Sequence, residues 1–382
     1  MAQRILALLL LTSVFSTIAL ARERAEEPAK GSSADATTGL DCRKPEHRAR
    51  LLAKHGGTME SEAAVALSLN WLANHQQEDG SWRFDHRGGE CKGRCVNHGT
   101  LDIAPNAATT MALLPFLAAG HTHSRGEFKS TVRAGVEFLV KNMEKKAEGG
   151  SFDEPGGSMY SHGLATIALC EACAMTGDMN LMKPAQLALD YIEFAQDPVG
   201  GGWRYQPRQA GDTSVFGWQF AALQTGRKAG LEIADGTLTR AEEFLVSVQS
   251  DDGARFGYVT PGAGTTTTAV GLLSRMHLGW KHDNKALKNG VKFIAETGVS
   301  KRNLYFNHYA HQVLFHYQGE VWDNWNNEVR DYLVEEQSKN GHQAGSWYIA
   351  GGQGPDRGGR LYCTSLATLI LESYYRYPPI YP

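Results

Sequence analysis

The sequence has little net charge: 38 Lys and Arg against 41 Asp and Glu leave a formal charge of −3. Nothing in that balance suits a polyanion, so nucleic acid is not an expected partner. Long apolar runs are also scarce. The one near the N-terminus, Ile5 to Leu20, is short for a bilayer crossing and passes directly into a charged, Ala/Ser/Thr-rich stretch. With Arg4 before it and the small-x-small sequence Ala19-Leu20-Ala21 behind it, this run reads as an export signal, residues 1–21, rather than an anchor. No cysteine follows closely enough to carry a lipid. Residues 22–44 are expected to form a polar linker too poor in apolar surface to order itself, with the folded domain at 45–382 and the mature protein exported and without a membrane span.

Glycine, in contrast, is abundant, and it clusters in turns such as "EGGSF", "PVGGGW" and "AGGQGPDRGGR" that punctuate helical runs. Those runs repeat. "NWLANHQQEDGSW" carries Trp71, Gln76, Gly80 and Trp82; "YIEFAQDPVGGGW" carries Ile192, Gln196, Gly201 and Trp203. "EEFLVSVQSDDGARF" keeps Gln249 but has Arg255-Phe256 in place of tryptophan, and "YLVEEQSKNGHQAGSW" restores Gln337 and Trp347. Degenerate copies begin at Arg133 and Lys288, making six. Each is followed by a nearly uncharged second run, from "AATTMALLPFLAAG" to "CTSLATLILESYYRY". An amphipathic first helix and an apolar second one imply outer and inner layers, and six such pairs close into an all-α, α6/α6 toroid. The Gln would cap free carbonyls and the Trp would pack against the next repeat, which makes the motif scaffold.

The spacing aromatic-aliphatic, Gln, Gly-x-Trp resembles the repeat of squalene and hopene cyclases, shared in weaker form with protein prenyltransferase β subunits and with exported bacterial proteins carrying such repeats. The resemblance covers about Glu60 to Tyr377 and implies a toroid with an isoprenoid-type ligand in its central cavity. It does not carry the chemistry intact. The cyclases' Asp-x-Asp-Asp acid is missing, its nearest counterpart being Asp212 in "GDTSVFGW", while "IAPNAATT" has no acid. Cys363 lies near the prenyltransferases' final ligand-bearing helix, without an Asp-x-Cys partner, so no cofactor is expected and zinc lacks its triad.

The inner helices should run in one direction, gathering their N-termini at one rim where N–H groups attract anions. Residues expected there include Tyr160, His162, Asp212, His308, Tyr309, Tyr362 and Cys363, with Trp203 and Tyr205 from a preceding turn. If the protein is an enzyme, Asp212 is the proton donor, or else an ordinary helix cap; Tyr205, Tyr309, His162 and His308 are the other candidate catalytic groups. Trp203, Trp218, Tyr160, Tyr362 and Cys363 are candidates for holding the ligand. Two further classes remain open: a non-catalytic binding toroid, and a polysaccharide hydrolase or lyase, which would need two carboxylates across a cleft. Finally, "DHRGGECKGRCVNHG" places Cys91 and Cys95 between His86 and His98, either a local disulfide, the preferred reading, or a zinc clasp.

Overall fold

The computed structural model describes residues 40–352 and 354–381; the expected signal and most of the expected linker lie outside them. Fourteen α-helices follow in order: α1 Pro45–Lys54, α2 Met59–Ala73, α3 Pro105–Ala118, α4 Lys129–Asn142, α5 Ser158–Thr176, α6 Met179–Ala195, α7 Thr213–Lys228, α8 Asp235–Val248, α9 Thr265–His277, α10 Lys285–Thr297, α11 Leu304–Tyr317, α12 Glu320–Glu336, α13 Pro355–Leu371 and α14 Ser373–Arg376. Among the described residues the strands are limited to two short ladders, Glu144–Lys146 with Gly149–Ser151 and Gln249–Ser250 with Arg255–Phe256. No described helix is long and apolar enough to cross a membrane.

The two layers are visible in burial. Outer α10 buries Leu287, Gly290, Val291 and Ile294, one stripe at helical spacing, and turns Lys285, Lys288 and Lys292 to solvent. Inner α3 is buried along its whole length from Asn106 to Ala118. The inner helices α3, α5, α7, α9, α11 and α13 each pack on the next, and α13 packs back on α3, so the ring closes as an α6/α6 toroid.

The repeat motif is a joint. Gln76 donates from Nε2 to Gly80 O and Thr131 O, Gln196 to Gly201 O and Thr237 O, and Gln337 to Gly345 O and Ala64 O, at 2.8–2.9 Å. Each amide thus ties its own glycine turn to the next outer helix, and the sixth copy reaches round to α2. The indoles behave alike: Trp82, Trp203 and Trp347 donate from Nε1 to Leu72 O, Ile192 O and Leu333 O. Gln249 departs from the set, its Oε1 accepting from Arg275, in the repeat that has Phe256 for tryptophan. Gly80 and Gly201 adopt φ of +84° and +75°, and a Cβ there would stand 2.4 Å from Ala134 O and 2.0 Å from Arg240 O. Left-handed backbone and close approach both demand glycine.

The polar linker ends sooner than residue 44. Asp41–Arg43 form a 3-10 turn, and Cys42 and Arg43 are buried, because Arg43 finds charge and carbonyl partners that repay its desolvation. Its Nη1 lies 2.7 Å from Glu171 Oε2 and its Nε donates to Arg376 O. Glu171 Oε1 also accepts from Arg376 Nη2 at 3.2 Å and Tyr377 OH at 2.6 Å. Burial alone would raise the Glu171 carboxyl; the Arg43 and Arg376 guanidiniums hold it down at about 2. The two ends of the domain are therefore knotted together at the C-terminal end of the inner helices.

Candidate functional site

At the opposite end, the inner helices' N-termini gather tyrosines. Tyr205 and Tyr258, 40 % and 38 % exposed, share a hydroxyl–hydroxyl bond of 2.7 Å. Tyr160 is half-buried beneath them, its ring 6.1 Å from that of Tyr205. Deeper in, Trp218 packs against Tyr305, His308 and Tyr309, all buried, with ring centres 5.7–6.3 Å apart. Burial pushes the hydroxyls of Tyr160, Tyr305, Tyr309 and Tyr362 well above the ordinary tyrosine range, so all act as neutral donors and acceptors. The Tyr309 hydroxyl is buried without a hydrogen-bond partner.

Asp212 stands at the edge of this cluster. It is fully buried, and its Oδ1 accepts from Ser214 N and Val215 N at 2.9 Å, which is the geometry of an N-cap of α7. Its Oδ2 faces Arg204 Nε at 3.7 Å, too long for a hydrogen bond. Desolvation raises its carboxyl, opposed by those backbone donors and Tyr258. Helix α3, whose start has no acid in sequence, is capped from afar: Glu154 accepts from Asn106 N and Ala107 N, and its Oε1 also takes Ser161 Oγ at 2.5 Å.

Several expected site residues turn out to be framework. His162 has both ring nitrogens committed, Nδ1 accepting from Phe152 N and Nε2 donating to Ala188 O, and burial lowers it to about 3. It fills the place held in other repeats by Thr109, Thr268 and Thr364, which accept from Trp82 N, Phe256 N and Trp347 N. Trp203 is fully buried in its motif joint. Cys363 is buried, its Sγ directed to Ile349 O at 3.9 Å, and burial raises its thiol to about 11. His308, lowered to about 3 by burial, engages Gln312, and His311, one helical turn on, accepts from Trp325 Nε1.

The hollows found between the inner helices are small. One hollow on the axis, between Gly217, Lys228, His277, Tyr309 and Tyr377, holds about 40 Å³, and another, between His308, Leu369, Arg376 and Tyr377, about 10 Å³. Ligand pockets usually run to roughly 300–1,000 Å³. A larger, shallow groove of about 840 Å³ lies on the outer wall, between charged residues of α12 and Tyr348–Ala350; Tyr160, Tyr205 and Tyr258 do not line it.

The loop cysteines sit apart from the histidines that flank them in sequence. Cys91 and Cys95 are buried and unlinked, and His98 is exposed. His86 is buried next to His75, ring centres 5.5 Å apart, with neither nitrogen hydrogen-bonded. The residues that face the two thiols are His75 and His342. His75 was hidden in the repeat motif itself, directly before Gln76, and His342 lies 247 residues from Cys95.

No protein-family model matches the sequence, and no curated protein matches it either. Solved structures do resemble it in shape. The α-1,6-mannanase GH76A of Salegentibacter superposes with a TM-score of 0.58 at 11% identity, over 83% of this chain and all of that one. A GH76 α-mannanase of Bacteroides thetaiotaomicron gives 0.58 at 11%, over 86% and 98%. A type II terpene cyclase from Scytonema gives 0.55 at 14%, over 82% and 97%. Enzymes of unrelated chemistry share this architecture, so the likeness is one of fold: the chain is an α/α toroid.

Proposed function

We propose that this protein is a binding toroid that does not turn its ligand over, and that it takes a hydroxyl-bearing ring compound, of which a glycan unit is the natural example, at the tyrosine-lined mouth. The observation that carries the reading is the exposed Tyr205–Tyr258 pair backed by Tyr160, above an axis filled by Trp218, Tyr305 and Tyr309. Phenol rings offer a flat apolar face to the C–H face of a sugar, and their hydroxyls exchange hydrogen bonds with its rim. An isoprenoid chain in the centre would have to displace packed side chains, since the hollows there hold about 40 and about 10 Å³. Acid-initiated chemistry is disfavoured because Asp212 spends one oxygen on capping α7. Two of the structural relatives are α-mannanases, and mannan fragments are therefore sensible first probes.

The test is titration calorimetry with α-1,6-mannotriose, a wider oligosaccharide panel and geranylgeraniol, alongside an assay for new reducing ends. The reading expects saturable oligosaccharide binding, weakened about tenfold or more in Tyr205→Ala, with no product formed. Binding of the prenyl alcohol alone, or release of reducing ends lost in Asp212→Asn, overturns it in favour of the terpenoid or hydrolase readings respectively.

A further inference from the structure

A second site lies where the ring closes. His75 follows the C-terminus of α2 in the first repeat, Cys91 and Cys95 lie in the same repeat's loop, and His342 sits in the 3-10 turn Gly341–Gln343 of the sixth. One donor atom from each, two sulfurs and two imidazole nitrogens, falls within 4.8 Å of every other. Cys95 Sγ is 3.5 Å from His75 Nε2 and 3.2 Å from His342 Nδ1. Around a tetrahedral zinc with Zn–S of about 2.3 Å and Zn–N of about 2.0 Å, neighbouring sulfur and nitrogen ligands stand about 3.5 Å apart. The donors are thus already near coordination distance of a common centre.

The surroundings fit the same end. His75 Nδ1 is 2.6 Å from Trp71 O and donates to it, which fixes the tautomer and leaves the Nε2 lone pair facing Cys95. The Trp71 indole stacks on the imidazole at 3.9 Å and holds the ring's angle. Arg360, buried, spans the same seam: it donates to Val96 O and Asn97 Oδ1 on the first-repeat side and to Ser338 Oγ and Ser346 Oγ on the sixth. Its guanidinium brings positive charge to the loop that carries Cys95.

We propose that His75, Cys91, Cys95 and His342 bind one zinc ion in a closed four-coordinate site, and that this ion clasps the first repeat to the sixth. Two thiolates neutralise the ion's double charge, and binding releases both thiol protons to solvent. With all four positions taken by protein the site is structural, with no vacancy for a substrate. Its role follows from its place. The closing contact is the one joint of a cyclic array whose partners are not neighbours in sequence, and a metal bond supplies there what chain continuity supplies between the other repeats.

The experiment uses the full chain, purified without added metal and then dialysed against metal-free buffer. Elemental mass spectrometry should find one zinc per chain, and replacement by cobalt should give the ligand-field bands of a tetrahedral thiolate-bearing site. Cys91 and Cys95 should resist alkylation until a strong chelator is added, and the chelated protein should melt lower. Cys95→Ser should lose the metal; because that change is buried, His342→Ala, on a half-buried loop position, is the second variant and should weaken retention while leaving the fold intact. His98→Ala should keep the full complement. A wild-type chain that holds no zinc after metal-supplemented expression, a Cys91–Cys95 disulfide in the native protein, or undiminished zinc in both His342→Ala and Cys95→Ser overturns the assignment.

Discussion

Replacing Glu171 with Gln tests whether the ends of the domain are locked by charge. The substitution keeps the shape of the side chain and removes one negative charge from a site where Arg43 and Glu171 are both fully buried and Arg376 nearly so. An amide can accept from only one side: Arg43 approaches one oxygen of Glu171, while Arg376 and Tyr377 converge on the other. Two buried guanidiniums would then lose the carboxylate they share. Breaking a buried pair in this way costs about 3–5 kcal/mol. Proton linkage gives a similar figure: a carboxyl held at about 2 in the folded chain, against about 4.3 unfolded, contributes about 3 kcal/mol at neutral pH. Because the folded value is depressed, that contribution is fully present above the unfolded value and is lost as the pH falls through 4 towards 2. Urea unfolding followed by circular dichroism should therefore show Glu171→Gln destabilised by about 3 kcal/mol at pH 7. The gap between variant and wild type should narrow steadily below pH 4. A midpoint equal to wild type at pH 7, or a gap that does not change with acid, would refute the argument that Glu171 is charged and bears this load.

Asp212→Asn should leave stability within about 0.5 kcal/mol, since Asn keeps the acceptor that serves Ser214 and Val215, whereas Asp212→Ala should cost about 1–2 kcal/mol; equal losses in thermal melts would show that the carboxylate's charge, and not its capping, is what matters. Gly201→Ala puts a Cβ 2.0 Å from Arg240 O at φ +75°, so it should destabilise by more than about 1 kcal/mol, and a neutral result in denaturant titration would mean the glycine joint is looser than drawn. His162→Ala strands Phe152 N and Ala188 O in the interior and should cost about 1–3 kcal/mol, with His162→Gln recovering part of it.

Much of the toroid is legible in the chain alone, because what makes it is local. Outer and inner helices announce themselves by amphipathic and uniformly apolar runs, and the Gln, Gly and Trp of each copy act within one turn and the helix beside it. That is why Gln76, Gln196 and Gln337 perform the same act in the structure. Substitutions inside the repeat are harder to read, as His162 shows: a histidine at a helix start looks reactive, and only its backbone partners reveal that it replaces a threonine.

What only the tertiary structure decided depends on chain segments far apart in sequence. The acid that caps α3 comes from Glu154 beyond the next outer helix, not from its own loop. The polar N-terminal segment becomes buried structure at Arg43 because Glu171, on the inner helix of the second pair, waits for it. The partners of Cys91 and Cys95 are a histidine that the repeat pattern disguised and another that arrives only when the sixth repeat meets the first. A repeat sequence specifies the contact each unit makes with the next. It does not specify which side chains meet when the last unit returns to the first, because that register is set by the summed rotation of all six pairs rather than by any local signal.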